Sequence, residues 1–397
     1  MRSGTAVAAK IKPRRKASSF AAKPLAVVAA GGTGGHMFPA EALARELNAR
    51  GWEVVLASDA RGAAYAEKFP AIERLSLEAA TFKTSDPIGA VRAAIKVAVG
   101  TMQARKAFKR LKPWAVIGFG GYPSFPALLA ATARKDVTLI HEQNSVLGRS
   151  NRQLVAKVDA VACAFPVLRM APPELEGQVQ VTGNPVRPDI RALYDEAYPE
   201  IDPTVNILIT GGSQGAKILS ETVPAALALL PISLRINLHV EQQTRPEQLE
   251  TAARIYREAE IDAEVAPFFN DMADRLARAH IVIGRSGAST CSELAVAGKP
   301  SVLIPLKIAA DDHQTYNAQV LKDANAAIVM REDDVTAESL AAEIRTLLES
   351  AALLPMRAAA ARSVAKPDAA RLLADLVERT VKRIKDVPVD AAEGEVQ

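Results

Sequence analysis

Two cysteines in 397 residues, Cys163 and Cys291, are too few for a disulfide framework or a four-thiolate zinc site. A reducing, cytoplasmic setting is expected. Long apolar runs are missing too. The longest uncharged stretch, Trp114–Ala133, approaches the roughly 20 residues of a membrane span. Gly118, Gly120, Gly121, Pro123 and Pro126 interrupt it, so it is expected to be strand, turn and helix start rather than a membrane helix. The N-terminal tail lacks the apolar run of a signal peptide. No Gly-Lys-Ser/Thr follows a glycine turn at Walker spacing, which disfavours kinase and ATPase chemistry. Acids are absent from residues 1–23, which carry seven basic residues, and bases are absent from residues 386–397, which carry four acids. The body between these tails is left close to neutral, at +1. A surface of that kind is not built for a polyphosphate backbone, and no nucleic-acid partner is expected.

What is present is ordinary globular material, 49% hydrophobic and 24% charged, with length for two domains. Short apolar runs ending in glycine recur. Pro24–Ala30 leads into Gly31-Gly32-Thr33-Gly34-Gly35, Ala115–Ile117 into Gly118-Phe119-Gly120-Gly121, Val205–Thr210 into Gly211-Gly212-Ser213-Gln214-Gly215, and His280–Ile283 into Gly284-Arg285-Ser286-Gly287. Helical segments follow each run. Other strands are expected at Glu53–Ala57, Val137–Ile140, Ala160–Ala162, Ile236–Val240 and Ser301–Ile304. Fully apolar strands alternating with helices imply parallel sheets covered on both faces. The pattern restarts near residue 205, so the expected fold is α/β, two Rossmann-like doubly wound parallel-sheet domains facing across a cleft. A linker is expected between Asn184-Pro185 and Pro203, a stretch dense in proline and charge.

Glycine turns between strand and helix present backbone N–H groups and a positive helix end, and so suit phosphate. In Gly284–Glu293, a helix start with Ser289 and Thr290 hydroxyls suits a diphosphate, and Glu293 suits ribose hydroxyls. A merely capped helix would carry the same residue types. Gly32-x-Gly34 with Asp59 also half-matches a nicotinamide site, although Met37 occupies the third glycine position. Asp311-Asp312-His313 diverge as adjacent side chains and make a poor metal site, so no metal and no cofactor are expected. His36, in the first glycine turn, and His141-Glu142-Gln143-Asn144, at a strand end, gather polar groups at the presumed cleft. Phe82–Trp114 carries eight basic residues against Asp86, with Ile88, Val91, Ile95, Val99 and Met102 near helical spacing. That is either a helix lying on anionic lipid or an ordinary surface helix.

Seven segments together, Gly31–Phe38, Gly120–Tyr122, His141–Asn144, Gly183–Arg187, Gly211–Ala216, Arg285–Glu293 and Asp312–Ala318, resemble the MurG family of peptidoglycan glycosyltransferases, in the family's order and across residues 24–385. The resemblance implies a GT-B fold and transfer of N-acetylglucosamine from UDP-N-acetylglucosamine to lipid I, the undecaprenyl-linked acceptor, giving lipid II at the cytoplasmic face of the plasma membrane. It implies an N-terminal domain over 24–186 completed by a helix at 366–385, a donor domain over 187–365, and tails at 1–23 and 386–397. It also implies roles. Phe269 offers its backbone to uracil, and Glu293 holds the ribose. Arg187, Ser213 and the Ala288–Thr290 turn hold the diphosphate. Gln314, Asn144 and Thr33-Gly34-Gly35 contact the sugar or the acceptor. Cys291 and Ser292 complete the substrate-contact segment, with no chemistry assigned to the thiol. An alpha-linked donor and a beta-1,4 product imply in-line displacement, which needs a base and a stabilised leaving group. His36 is the expected base, since an unperturbed histidine titrates near 6.5, and Glu142 is the second candidate. The basic segment near Ile88–Met102 is the expected contact with an anionic membrane surface. An NAD-dependent oxidoreductase, a UDP-sugar enzyme with another acceptor, and a non-catalytic scaffold are the alternatives.

Overall fold

The computed structural model describes residues 23–32, 34–60, 62, 69–80, 87–175, 177–212 and 215–385. Thr33, Ser213, the tails 1–22 and 386–397, and the Ile88 side chain lie outside the described residues. The chain runs β1 (Leu25–Ala29), α1 (Gly34–Ala49), β2 (Glu53–Ser58), β3 (Glu73–Ser76), α2 (Pro87–Leu111), β4 (Ala115–Gly118), α3 (Gly121–Arg134), β5 (Val137–Glu142), α4 (Arg149–Leu154), β6 (Ala160–Cys163) and β7 (Val179–Val181). It continues with α5 (Pro188–Ala192), β8 (Val205–Thr210), α6 (Lys217–Ala228), α7 (Ile232–Arg235), β9 (Leu238–Gln243), α8 (Leu249–Glu258), β10 (Asp262–Ala266), α9 (Met272–Arg278) and β11 (Ile281–Gly284). It ends with α10 (Ala288–Ala297), β12 (Ser301–Leu303), α11 (His313–Asp323), β13 (Ala327–Val329), α12 (Ala337–Glu349), α13 (Leu354–Ser363) and α14 (Ala369–Lys385).

The strands form two wholly parallel sheets, ordered β3-β2-β1-β4-β5-β6-β7 and β10-β9-β8-β11-β12-β13. The continuous apolar character of β1 has a direct cause. Leu25, Val27 and Ala29 pack on one face with Phe108 of α2 and Leu128 of α3. Ala26 and Val28 pack on the other with Leu43 of α1 and Val377 of α14. A strand buried on both faces has no polar side to alternate. In each sheet the order reverses at the first strand, between β1 and β4 and between β8 and β11. Ligands of doubly wound sheets bind in the crevice at that switch point, beyond the strand carboxyl ends. The four glycine turns follow these four strands.

The chain crosses between domains near Gly183 and returns near Lys366. The crossings touch: a Cβ on Gly183, whose φ is +84°, would lie 2.3 Å from Lys366 Cβ. After the return, α14 packs on α1, and Arg50 holds Asp375 at 2.7 Å and Glu378 at 2.9 Å. The expected linker between Asn184-Pro185 and Pro203 is corrected here. Ile190 and Leu193 are buried in the second domain's core, so the chain is already part of that domain at α5.

Candidate active site

His36 lies in the first turn of α1, set there by the short Gly31–Gly35 link from β1. Its ring packs on the turn after β4. A Cβ on Gly120 would lie 3.5 Å from His36 Cε1, and one on Gly121 would lie 3.3 Å from Cδ2. Both glycines have positive φ, +77° and +68°, so the turn and the close approach both call for glycine. A line of polar groups leads away from the ring. His36 Nδ1 lies 2.9 Å from Gln143 Oε1, Gln143 Nε2 lies 3.0 Å from His141 Nδ1, and His141 Nε2 lies 2.9 Å from the Gly183 carbonyl. Burial pushes the His141 pKa down to about 4.

Glu142 is corrected as a candidate base. It is buried, and its two carboxyl oxygens accept from Asn144 N and Nδ2, Gly148 N and Asn151 Nδ2, at 2.7–3.2 Å. With four donors in place, the carboxyl group is an organiser of the loop after β5. Asn144 is held by that network and by the other domain. Its Oδ1 accepts from Asn317 Nδ2 at 3.1 Å. Asn317 also accepts from Ser145 N at 2.8 Å and donates to the Ser286 carbonyl at 3.2 Å, which clasps the two domains through one buried amide. Arg152 and Arg149 pair across the cleft with Asp311, and the Arg169 guanidinium lies 4.2 Å from the Tyr316 ring centroid.

In the second domain, α10 starts at Ala288 after Gly287, with no side-chain cap. Such a helix start offers free N–H groups and a partial positive charge. The buried hydroxyls of Ser286 and Ser289 have no hydrogen-bond partner among the described residues, nor does Arg187 Nε. Glu293, one turn into α10, is 17% exposed, and its Oε1 lies 3.8 Å from Arg187 Nε. Burial raises the Glu293 pKa to about 7, against the opposing pull of Arg187. The same guanidinium lies 5.4 Å from the ring centroid of Phe38 in α1, and α1 packs on α10. Phe38, Arg187 and Glu293 thus join the His36 turn to the helix start.

Two α10 side chains within the substrate-contact segment are engaged inside the fold. The Cys291 thiol is buried in the core, and burial pushes its pKa up to about 12. The Ser292 hydroxyl donates to the Ala288 carbonyl at 2.9 Å, as helical serines do. Both line a cavity of about 40 Å³ behind α10, beside Phe165 and Asn184.

Gln314 Oε1 accepts from Leu306 N at 3.0 Å, which leaves its Nε2 for a ligand. Phe269 is buried under the Arg275 guanidinium, 3.7 Å from the ring centroid, so only its backbone is on offer to a ligand. The two acids and the histidine beside Gln314 are engaged separately: Asp311 with the arginines, Asp312 with Thr315 Oγ1 at 2.7 Å, and His313 Nδ1 with the Ala310 carbonyl at 2.7 Å. No group of three or more His, Cys, Asp or Glu able to hold a metal occurs among the described residues. Gln143 and Asn317 were not singled out from sequence, although both lie inside segments that were.

Away from the cleft, α2 packs on α3 and buries Ala93, Val97, Ala104 and Phe108, the last two in the core under the first sheet. Val91, Ile95 and Met102 face outward, 61%, 58% and 71% exposed, flanked by exposed Arg92, Lys96, Arg105 and Lys106. Among the described residues, no helix is long and apolar enough to cross a membrane.

Residues 26–163 match the glycosyltransferase family 28 N-terminal domain, and residues 206–373 match the family's C-terminal domain. The chain belongs to glycosyltransferase family 28. One family 28 relative, the UDP-N-acetylglucosamine–N-acetylmuramyl-(pentapeptide) pyrophosphoryl-undecaprenol N-acetylglucosamine transferase of Caulobacter vibrioides, is 58% identical over 90% of this chain and 99% of its own length. The enzyme of the same name from Phenylobacterium zucineum is 56% identical over 90% of this chain and 98% of its own length. The crystal structure of Acinetobacter baumannii MurG superposes with a TM-score of 0.74 at 34% identity, covering 90% of this chain and 99% of that one. A putative UDP-N-acetylglucosamine 2-epimerase from Listeria monocytogenes, 16% identical at a TM-score of 0.62, shares the fold alone. The nicotinamide alternative finds no support among these relatives. Asp59, its ribose candidate, accepts instead from Tyr122 Oη at 3.2 Å and Gly62 N at 3.1 Å.

Proposed function

We propose that this chain transfers N-acetylglucosamine from UDP-N-acetylglucosamine to the 4-hydroxyl of the N-acetylmuramyl-(pentapeptide) of lipid I, giving lipid II with inversion at the anomeric carbon. One observation carries the reading. The Phe38–Arg187–Glu293 contact joins a histidine on one domain to an uncapped helix start on the other. Glu293 takes the ribose hydroxyls. The α10 N-terminus, Ser289, Thr290 and Arg187 take the diphosphate and stabilise its charge as it leaves. Ser213 joins them in this reading. Phe269 presents its backbone to uracil. Gln314, Asn144 and the Thr33–Gly35 turn orient the sugar and acceptor, and His36 takes the acceptor's proton. The test is UDP release from UDP-N-acetylglucosamine with and without a short-chain lipid I analogue. Acceptor-dependent release is expected. Tight donor binding with release that ignores the acceptor would refute the acceptor assignment.

The same reading places the enzyme peripherally on the cytoplasmic face of the membrane, with the outward face of α2 on anionic lipid. Val91, Ile95 and Met102 enter the interface while the neighbouring Arg and Lys meet head groups, each basic contact contributing about 1 kcal/mol. Replacing Arg92, Lys96, Arg105 and Lys106 by Glu is expected to abolish sedimentation with phosphatidylglycerol vesicles at low salt. Unchanged sedimentation would remove this face from the proposal.

A further inference from the structure

We propose that Gln143 and His141 are positioning residues that fix the tautomer of His36, so that Nε2 carries the lone pair that receives the acceptor's proton. The inference rests on the reading of His36 as base and specifies how the fold prepares it.

The argument starts from two backbone carbonyls, which can only accept. Gln143 Nε2 lies 3.0 Å from the carbonyl of His141, so the amide nitrogen must face that way. Gln143 Oε1 is then the atom 2.9 Å from His36 Nδ1, and Nδ1 must carry a hydrogen. The second carbonyl, Gly183, likewise requires a hydrogen on His141 Nε2. His141 Nδ1 is then bare and accepts the remaining Gln143 N–H at 3.0 Å. All donations run from one end to the other. Turning the Gln143 amide over would set two acceptors face to face at His141. His141 and Gln143 are both buried, so water does not offer an alternative partner. Desolvation keeps His141 neutral, which preserves its Nδ1 as an acceptor.

A neutral His36 with its hydrogen on Nδ1 presents Nε2 as the base. In the reaction, the acceptor oxygen bonds to the anomeric carbon, the bond from that carbon to the diphosphate breaks, and the electron pair leaves with UDP. The acceptor's proton goes to Nε2, and the resulting imidazolium keeps its Nδ1–H on Gln143 Oε1. Titratable side chains on the elements around this turn are His141 and Glu142 on β5, the latter held by Asn151 of α4, and Asp59 just past β2, bonded to Tyr122 of α3. The relay ends at the Gly183 carbonyl, on the crossing packed against Lys366.

The test uses the full chain labelled with ¹⁵N-histidine, at pH 8, where an unperturbed histidine is neutral. Only five histidines contribute, and loss of a signal in His36→Gln assigns its ring. The wild type is expected to show protonated Nδ1 and bare Nε2 at His36. Gln143→Leu is expected to shift the population toward protonated Nε2. It should lower kcat roughly 10- to 100-fold, less than loss of a general base, with KM for UDP-N-acetylglucosamine unchanged. A wild-type His36 protonated on Nε2, or an undiminished kcat in Gln143→Leu, overturns the proposal. The wild-type spectrum decides alone if the variant does not fold. Full turnover by His36→Ala would instead sink the base reading and leave the tautomer result standing.

Discussion

His36→Ala is expected to lower turnover by roughly 10²–10⁴-fold, the usual contribution of a general base, while the affinity for UDP-N-acetylglucosamine stays at its wild-type value. The separation follows from where the groups sit. His36 belongs to α1 in the first domain, whereas Glu293, Ser289 and the α10 N-terminus belong to the second. In the proposed function the second set holds the donor's nucleotide and the first takes the proton. Leaving-group stabilisation survives the mutation, because Arg187 reaches α10 and does not depend on the imidazole. Residual turnover is therefore expected, and it should be acceptor-dependent. The measurement is kcat with a short-chain acceptor alongside calorimetric Kd for the donor. Near-normal kcat would remove His36 from the chemistry. Glu142 would not inherit the role, since its oxygens already accept four hydrogen bonds.

Much of this arrangement was legible in the sequence, for physical reasons. Strands buried on both faces are apolar throughout, so β1, β4, β8 and β11 stood out. Those four flank the two switch points, and the glycine turns after them marked the cleft. The edge strands were not legible. β3 reads Glu-Arg-Leu-Ser and β10 reads Asp-Ala-Glu-Val-Ala, short and partly exposed, with charge at the edge. Such residues protect an edge from pairing and erase the signal of a strand. β9 was expected to start at Ile236, but Ile236 is exposed at the end of α7 and the strand runs from Leu238 to Gln243. Its buried Glu241, Gln242 and Gln243 conceal the strand's length. Glu241 is affordable there because Arg275 and Arg278 pair with it. The apolar spacing in α2 was visible, but its direction was not. Ala93, Val97, Ala104 and Phe108 took the inward stripe and left Val91, Ile95 and Met102 outside. In α10, the helix start was legible as an anion site, whereas the inward turn of Cys291 is set by packing against the second core.

Glu293→Ala is expected to weaken donor binding by roughly 10- to 100-fold, and Glu293→Gln to abolish a pH dependence that the wild type shows. A hydrogen bond to a charged group contributes about 1.5–3 kcal/mol, and a ribose offers two hydroxyls to one carboxylate. The carboxylate accepts both with charge assistance, which the protonated acid, a neutral acceptor with one O–H donor, does not supply. Burial sets the Glu293 pKa at about 7 in the free protein, so part of the binding energy goes into removing a proton whenever the pH is lower. Donor Kd should rise as pH falls from 8 to 6, approaching tenfold per unit below 7, and remain flat in Glu293→Gln. The sugar diphosphate is a diester with no proton to gain in this range, so it does not imitate the effect. Stability should move the opposite way. A carboxyl whose pKa is raised on folding costs nothing below the unfolded value and destabilises progressively as pH rises through about 7. Glu293→Gln should therefore raise Tm at pH 8, with little effect at pH 4. A half-buried acid held above its ordinary range beside an uncapped helix start fits a binding group. Calorimetry giving the wild type and Glu293→Gln the same Kd at pH 6 and pH 8 would refute the ribose role.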